Sequence, residues 1–156
     1  MNDNRYAPPK APVDAPHMEA ASSTSPVLWN PDAAARWSIL LTPVFGTWLH
    51  MRNWGAMGEP KRARTARIWL ALAIACVLAT AVLLAVWPQS TTLRFVNFGF
   101  LLVWYYGSGN KQSRLVETRF GIDYLRQPWS KPLQAAGGLI ATYLIIVAVF
   151  AALGVV

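Results

Sequence analysis

Between Ile68 and Trp87 the chain reads IWLALAIACVLATAVLLAVW, a run without a single charge, proline or glycine. At 1.5 Å per residue a helix of that length covers ~30 Å, the hydrocarbon thickness of a bilayer. Backbone amides find no water in lipid, so the run is expected to close its hydrogen bonds within itself as a helix. Composition points the same way: 54% of the 156 residues are hydrophobic and 13% are charged, against about 25% charged in a typical soluble chain. The apolar residues are gathered in blocks, which separates this pattern from that of an evenly apolar globule.

Three further blocks follow the same logic. Residues 133–156 contain the apolar stretch LIATYLIIVAVFAALGVV and are long enough to span. Residues 91–107 (TTLRFVNFGFLLVWYYG) sit at the lower limit of about 17 residues for a crossing, with Arg94 close enough to the end to snorkel to the headgroups. Residues 37–51 (WSILLTPVFGTWLHM) are shorter and interrupted by Pro43 and Gly46, which remove an amide donor and add backbone freedom. A re-entrant or kinked helix is expected there, with Trp37, Trp48 and Trp54 at headgroup level; a tilted full crossing is the alternative. The expected fold is therefore all-α: a polytopic membrane protein with three to four hydrophobic helical segments over residues 28–156. A short re-entrant or spanning segment occupies 37–51, and the spans run over about 68–87, 91–107 and 133–156. The Pro/Ala/Ser-rich tail 1–27 cannot bury enough apolar surface to offset its ordering entropy and is expected to be disordered. It also lacks the apolar core of a signal peptide.

Charge is as unevenly placed as hydrophobicity. The net charge is +7, which raises the question of a nucleic-acid partner. In the expected loop 52–67, Arg52, Lys61, Arg62, Arg64 and Arg67 face only Glu59; in loop 107–131, Lys111, Arg114, Arg119, Arg126 and Lys131 face Glu117 and Asp123. The connection PQSTT between the two central spans carries no charge. Two basic loops around a neutral turn are what the positive-inside rule produces, so both loops are expected in the cytoplasm and the C-terminus in the periplasm. The N-terminal tail is then cytoplasmic if 37–51 is re-entrant and periplasmic if it spans. The KRARTAR run is read as topology anchoring and attraction to anionic lipid, because no aromatic interleaving or nucleic-acid fold accompanies it. No nucleic-acid partner is expected.

Catalysis needs convergent ionisable groups, and seven carboxylates and two histidines leave few to converge. His17 falls in the tail, and His50 is read as a polar tip resting at the interface rather than a metal ligand, since no second ligand lies at helical spacing. Cys76 stands alone within a helix, where it packs as a small apolar residue. No catalytic residue, metal ligand or cofactor is expected. Arg94 and Asn97 form the one polar pair inside an expected span and are the candidate intramembrane site, weighed against snorkelling and an ordinary interhelical hydrogen bond. Ala71, Ala75 and Ala79 recur every four residues as a candidate helix-packing face, with Gly137, Gly138 and Ala141 a weaker one. GSGN at 107–110 reads as a helix stop and flexible turn, because no strand precedes it and no G-K-[ST] follows. Around Leu115, Val116, Phe120, Ile122 and Leu125 a short interfacial helix broken at Gly121 is expected. Arg114, Arg119, Arg126, Trp129 and Lys131 then make the largest polar surface open to a protein partner or to lipid.

The stretch LWNPDAAARWSILLTPVFGTWLHMRNW, with WYYGSGNKQ and VETRFGIDYLRQPWSKPL, resembles a group of small proteobacterial inner-membrane proteins. In that group a tryptophan-rich short apolar segment precedes the spans, and an element matched here by Phe120, Gly121, Tyr124, Arg126, Trp129, Lys131, Pro132 and Leu133 leads into the final helix. The resemblance covers about residues 28 to 135. It implies membrane insertion and a bacterial source, and it carries no activity, substrate or catalytic residue. The functional expectation is a non-enzymatic inner-membrane protein acting through a protein partner or as a homo-oligomer, of accessory-subunit or toxin-immunity type. A small transporter or channel subunit is the alternative.

Overall fold

The computed structural model describes residues 25–152, and among them every named element is helical. The tail expected over 1–27 therefore lies almost entirely outside the described residues, as do the last four residues of the expected final span. The helices are α1 (Pro31–Leu40), α2 (Pro43–Ala56), α3 (Pro60–Val86), α4 (Thr91–Trp104), a π-helical turn (Tyr105–Gly109), α5 (Asn110–Phe120) and α6 (Ser130–Ala152).

The 37–51 block is two helices rather than one kinked helix. Proline disfavours helical geometry in the residue before it, and Thr42 is accordingly extended. Pro43 itself stands in the first turn of α2, where its missing N–H is not needed. The chain reverses over Leu41 and Thr42, and α1 packs back against α2. Gly46 permits this approach: a Cβ there would run into Ser38 Oγ of α1 and come within 3.0 Å of the Trp104 ring. The tip of the hairpin is apolar and outward-facing, with Ile39 and Leu40 61% and 76% exposed.

The expected loop 52–67 is also largely helical. Only Met57, Gly58 and Glu59 separate α2 from α3. Gly58 has φ +70°, and the Gly58 and Glu59 amides donate to the Gly55 and Trp54 carbonyls, a Schellman end that a glycine alone adopts without strain. Pro60 then opens α3 at the next residue. Arg62, Arg64 and Arg67 thus project from helical turns.

Among the described residues, α3 is the helix long and apolar enough to cross a membrane, and only 11% of its most apolar window is buried. A core helix of a soluble protein would hide that surface; here Ile68, Leu72, Leu78 and Val82 are exposed. The side turned inward carries Ala66, Ala73, Cys76 and Thr80, which are buried or half-buried. Ala71, Ala75 and Ala79, the expected packing face, lie on the outward side of α3 in this chain. The reason is one of phase: the partner helix α4 meets α3 through Trp69–Phe100 and Cys76–Asn97, which fixes a face offset from the alanine stripe.

The GSGN segment does not stop the helix. The backbone passes from α4 through the wide π turn into α5, with the Asn110 amide donating to the Tyr105 carbonyl five residues back. Gly109 is there for space, since a Cβ would stand 3.1 Å from the Tyr105 ring and 3.6 Å from Trp104. The expected loop 107–131 is consequently helical as far as Phe120, continuous with α4 through the π turn. It ends at Gly121 (φ +74°) as the sequence suggested, and an irregular segment then leads to α6.

These contacts predict opposite outcomes for two glycines of α2. Gly46→Ala should lower stability by about 1–3 kcal/mol through overpacking against Ser38 and Trp104. Gly55→Ala, with nothing within 4 Å, should be neutral or raise it by about 0.5 kcal/mol. Thermal melts of the two variants in the same mild detergent, followed by circular dichroism, check the pair.

Candidate functional site

The polar side chains that the fold gathers lie at one end of the molecule, where α1, α2, the π turn and α5 converge. Asn30 caps α1, its Oδ1 accepting from the Ala33 amide at 3.0 Å. One residue earlier, Trp29 is held by Asn53 as one strand holds another: its amide donates to Asn53 Oδ1 at 3.0 Å and its carbonyl accepts from Asn53 Nδ2 at 2.7 Å. Asn53 Nδ2 also reaches Gln112 Oε1 of α5 at 3.4 Å, and Gln112 Nε2 donates to the His50 carbonyl at 2.9 Å. Asp32 Oδ1 accepts from Ser113 Oγ at 2.7 Å and from Tyr105 OH at 3.2 Å.

His50 is not an interfacial tip. It is buried, 2% exposed, with its ring edge-on to Trp104 at 4.8 Å between centroids. Its Nε2 lies 3.0 Å from the Pro31 carbonyl; since a carbonyl only accepts, Nε2 carries the proton and donates. Burial pushes its pKa down to about 4, against the smaller opposing effects of the Pro31 bond and Asp32. Each buried side-chain nitrogen and oxygen among the described residues has a partner within the chain, and no three His, Cys, Asp or Glu side chains among them stand together as metal ligands. The bonds of the cluster run from α2 to the segment before α1, to α1 and to α5, and what they do chemically is set the mutual position of these elements.

The remaining sequence candidates are distributed as follows. Arg94 is exposed and its guanidinium donates to the Pro88 carbonyl at 3.1 Å, while Asn97 Oδ1 accepts from Cys76 Sγ at 3.5 Å. The two side chains point to different partners, yet both border one cavity of about 220 Å³ with Ser38 and Thr42 of the hairpin. Arg119 pairs with Glu59 at 3.2 Å and lies over Phe120. Arg126 lies over Tyr124 at 5.4 Å, and its backbone is bridged to Leu28, with the Leu28 amide donating to the Leu125 carbonyl and the Gln127 amide to the Leu28 carbonyl. Trp129 packs with Ala34, Phe45 and Leu49. Arg114 and Lys131 are exposed.

Asn53, Gln112 and Asp32 were not singled out by sequence reasoning. The available signal was spacing: His50 and Asn53 share a helical face at i, i+3, as do Gln112 and Val116 at i, i+4. It was masked by the assignment of residues 52–67 and 107–131 to loops.

Replacing Asn53 by Leu leaves the Trp29 amide and carbonyl without partners, and should cost about 2–4 kcal/mol, more than the exposed Arg114→Gln, which should cost less than 0.5 kcal/mol. Stability should also fall with acid. Above pH 6.5 His50 is neutral in both states and contributes no pH dependence; between 6.5 and about 4 the unfolded chain binds a proton the folded one refuses. The loss should reach about 3 kcal/mol by the lower limit, and His50→Asn should flatten the profile in that window. Melting temperature against pH, in one detergent, measures it.

Comparison of the chain with protein-family models, with curated proteins and with solved structures finds no match.

Proposed function

We propose that this chain is a multi-pass protein of a bacterial inner membrane that has no catalytic activity of its own and acts by binding a protein partner on its basic face. The observation that carries the reading is the division of its polar groups. Those the fold brings together are consumed in holding helices, whereas Arg114, Arg126 and Lys131 stand exposed at one end of the molecule. On this reading α3, the α4–α5 helix and α6 cross the bilayer with the basic ends in the cytoplasm.

The α1–α2 hairpin is then a re-entrant element entering from the basic side. Asp32, Ala35 and Ile39 lie beside Tyr105 of the π turn and Leu101 and Phe98 of α4, and the tip at Leu41 to Pro43 reaches Asn97 and Arg94. From Tyr105 back to Asn97 is about 12 Å of helix, less than half of the ~30 Å hydrocarbon core. The tail before residue 28 stays cytoplasmic in this arrangement.

A second reading is favoured by the cavity at the hairpin tip, which Ser38, Thr42, Arg94 and Asn97 line within an otherwise apolar part of the molecule. It makes the chain a transporter or channel subunit. Proteoliposome flux that is unchanged in Asn97→Ala and Arg94→Ala would remove it.

Two experiments test the main reading. In a Cys76→Ser background, Gln89→Cys in spheroplasts should react with a membrane-impermeant maleimide, while Arg64→Cys and Thr118→Cys should react only after permeabilisation; the reverse pattern inverts the topology. A photo-crosslinking amino acid at Arg114 should give a discrete adduct in cells that Arg119→Glu weakens. Absence of any adduct, together with a monomer in mild detergent, would overturn the partner role.

A further inference from the structure

Away from the polar cluster, α2 and α6 diverge to leave an apolar groove of about 460 Å³, within the ~300–1,000 Å³ typical of ligand sites. Leu41, Phe45 and Trp48 form one wall, and Ala135, Leu139 and Ile140 the other. No acidic residue lines it. The groove has a direction. Trp48 and Pro132 stand at its basic end, and Leu41 and Ile140 at the other, about 12 Å along α6. Beyond Ile140, the exposed Leu144 and Ile145 continue the apolar track along the outer surface.

Cationic groups stand where the groove meets the basic end. The Arg52 guanidinium lies 5.4 Å from the Trp48 ring centroid and 5.9 Å from that of Trp29, held by two indoles and exposed. Lys131 immediately precedes Pro132 and is exposed. α6 begins here too, so its positive dipole end adds to the field. An arginine beside the groove-wall Trp48, a lysine one residue before the groove-wall Pro132, and Trp29, Trp48 and Trp129 packed together at this end match the division of a phospholipid into an anionic head and an acyl tail.

We propose that this groove binds an anionic phospholipid, one acyl chain lying between α2 and α6 and the headgroup phosphate held by Arg52 and Lys131. The proposal rests on the membrane reading above and shares Lys131 with the basic face. A soluble anion would leave the apolar walls uncovered, and a second copy of this chain would bring further positive charge to a mouth that is already cationic.

Native mass spectrometry of the full chain, released from mild detergent with equimolar dioleoyl phosphatidylglycerol and dioleoyl phosphatidylethanolamine, tests it. The anionic lipid should be retained about tenfold over the zwitterionic one, the order expected from two basic groups near a headgroup. Arg52→Gln with Lys131→Gln should bring that ratio to near one, whereas Arg114→Gln with Arg119→Gln should leave it unchanged. Ala135→Phe, at an exposed position on the groove wall, should reduce retention of the anionic lipid. Should that variant fail to fold, phosphatidylglycerol carrying a diazirine on one acyl chain should label wild-type Phe45, Trp48 or Leu139. Equal retention of the two lipids, a preference that survives Arg52→Gln with Lys131→Gln, labelling elsewhere, or a dimer that excludes lipid overturns the proposal. Recovery of the chain in the soluble fraction would instead overturn the membrane reading, and both together are told apart by the topology labelling.

Discussion

The side-chain amide of Asn53 holds the segment at Trp29 to α2, and the arrangement of the basic end follows from it. An amide side chain offers one acceptor and two donors. Asn53 uses them on the Trp29 amide, the Trp29 carbonyl and Gln112, so a single residue ties the chain ahead of α1 to α2 and to α5. Fixing Trp29 fixes Asn30, which caps α1, and Pro31, whose carbonyl accepts a hydrogen bond from His50. On its other side Leu28 pairs with the backbone around Arg126, which brings the segment before α6 into the same assembly. Leu28 itself is buried with Trp54, Met57, Ala63, Ala66 and Val116, so the tie carries an apolar core with it. In a bilayer such polar ties matter more than in water, because lipid gives no hydrophobic drive for helices to associate.

The molecule is accordingly built in two physical regimes. At the basic end, buried polar groups are hydrogen-bonded to side chains and backbone of neighbouring segments. Toward the other end, helices meet through small residues and rings, as at Ala73, Cys76 and Thr80 of α3 or Trp69 against Phe100, and the outward surfaces are apolar. The π turn lies where the two meet. The extra residue in that turn lets Tyr105 reach Asp32 while Trp104 lies against His50, with Gly109 giving the rings room.

The regular part of this architecture was legible in the sequence because its determinants are one-dimensional. The length of Ile68 to Trp87 and its lack of breakers specify α3, and the break expected at Gly121 is where α5 ends, with φ +74°. The polar cluster was not legible, for a reason that is also physical. Asn53 and Gln112 are 59 residues apart, and nothing local tells that a polar residue at the rim of an apolar block will turn inward. The charge density of 52–67 and 107–131 suggests loops, yet arginine and lysine are good helix formers with long stems, and helix covers residues 60–67 and, in the second segment, runs on to Phe120. Glycine was misread in the same way: in GSGN its role is clearance for rings rather than chain termination.

Pro43 shows how one residue can carry two readings that only packing separates. A proline inside an apolar run either kinks a continuous helix or opens a new one, and the two cost little different in local terms. What decides is whether the chain before it has something to fold back upon. Here Ser38 and Ala34 on α1 meet the flat surface at Gly46, with Ser38 Oγ satisfied by the Ala34 carbonyl at 2.9 Å and Thr47 Oγ1 by that of Pro43 at 2.9 Å. Both hydroxyls are returned to their own helices, so the α1–α2 interface is left without an unpaired polar group. A single continuous helix through Thr42 would separate Trp29 from Asn53 and Pro31 from His50. The break at Thr42 is therefore held in place by hydrogen bonds between residues two or more helical turns away from it on either side.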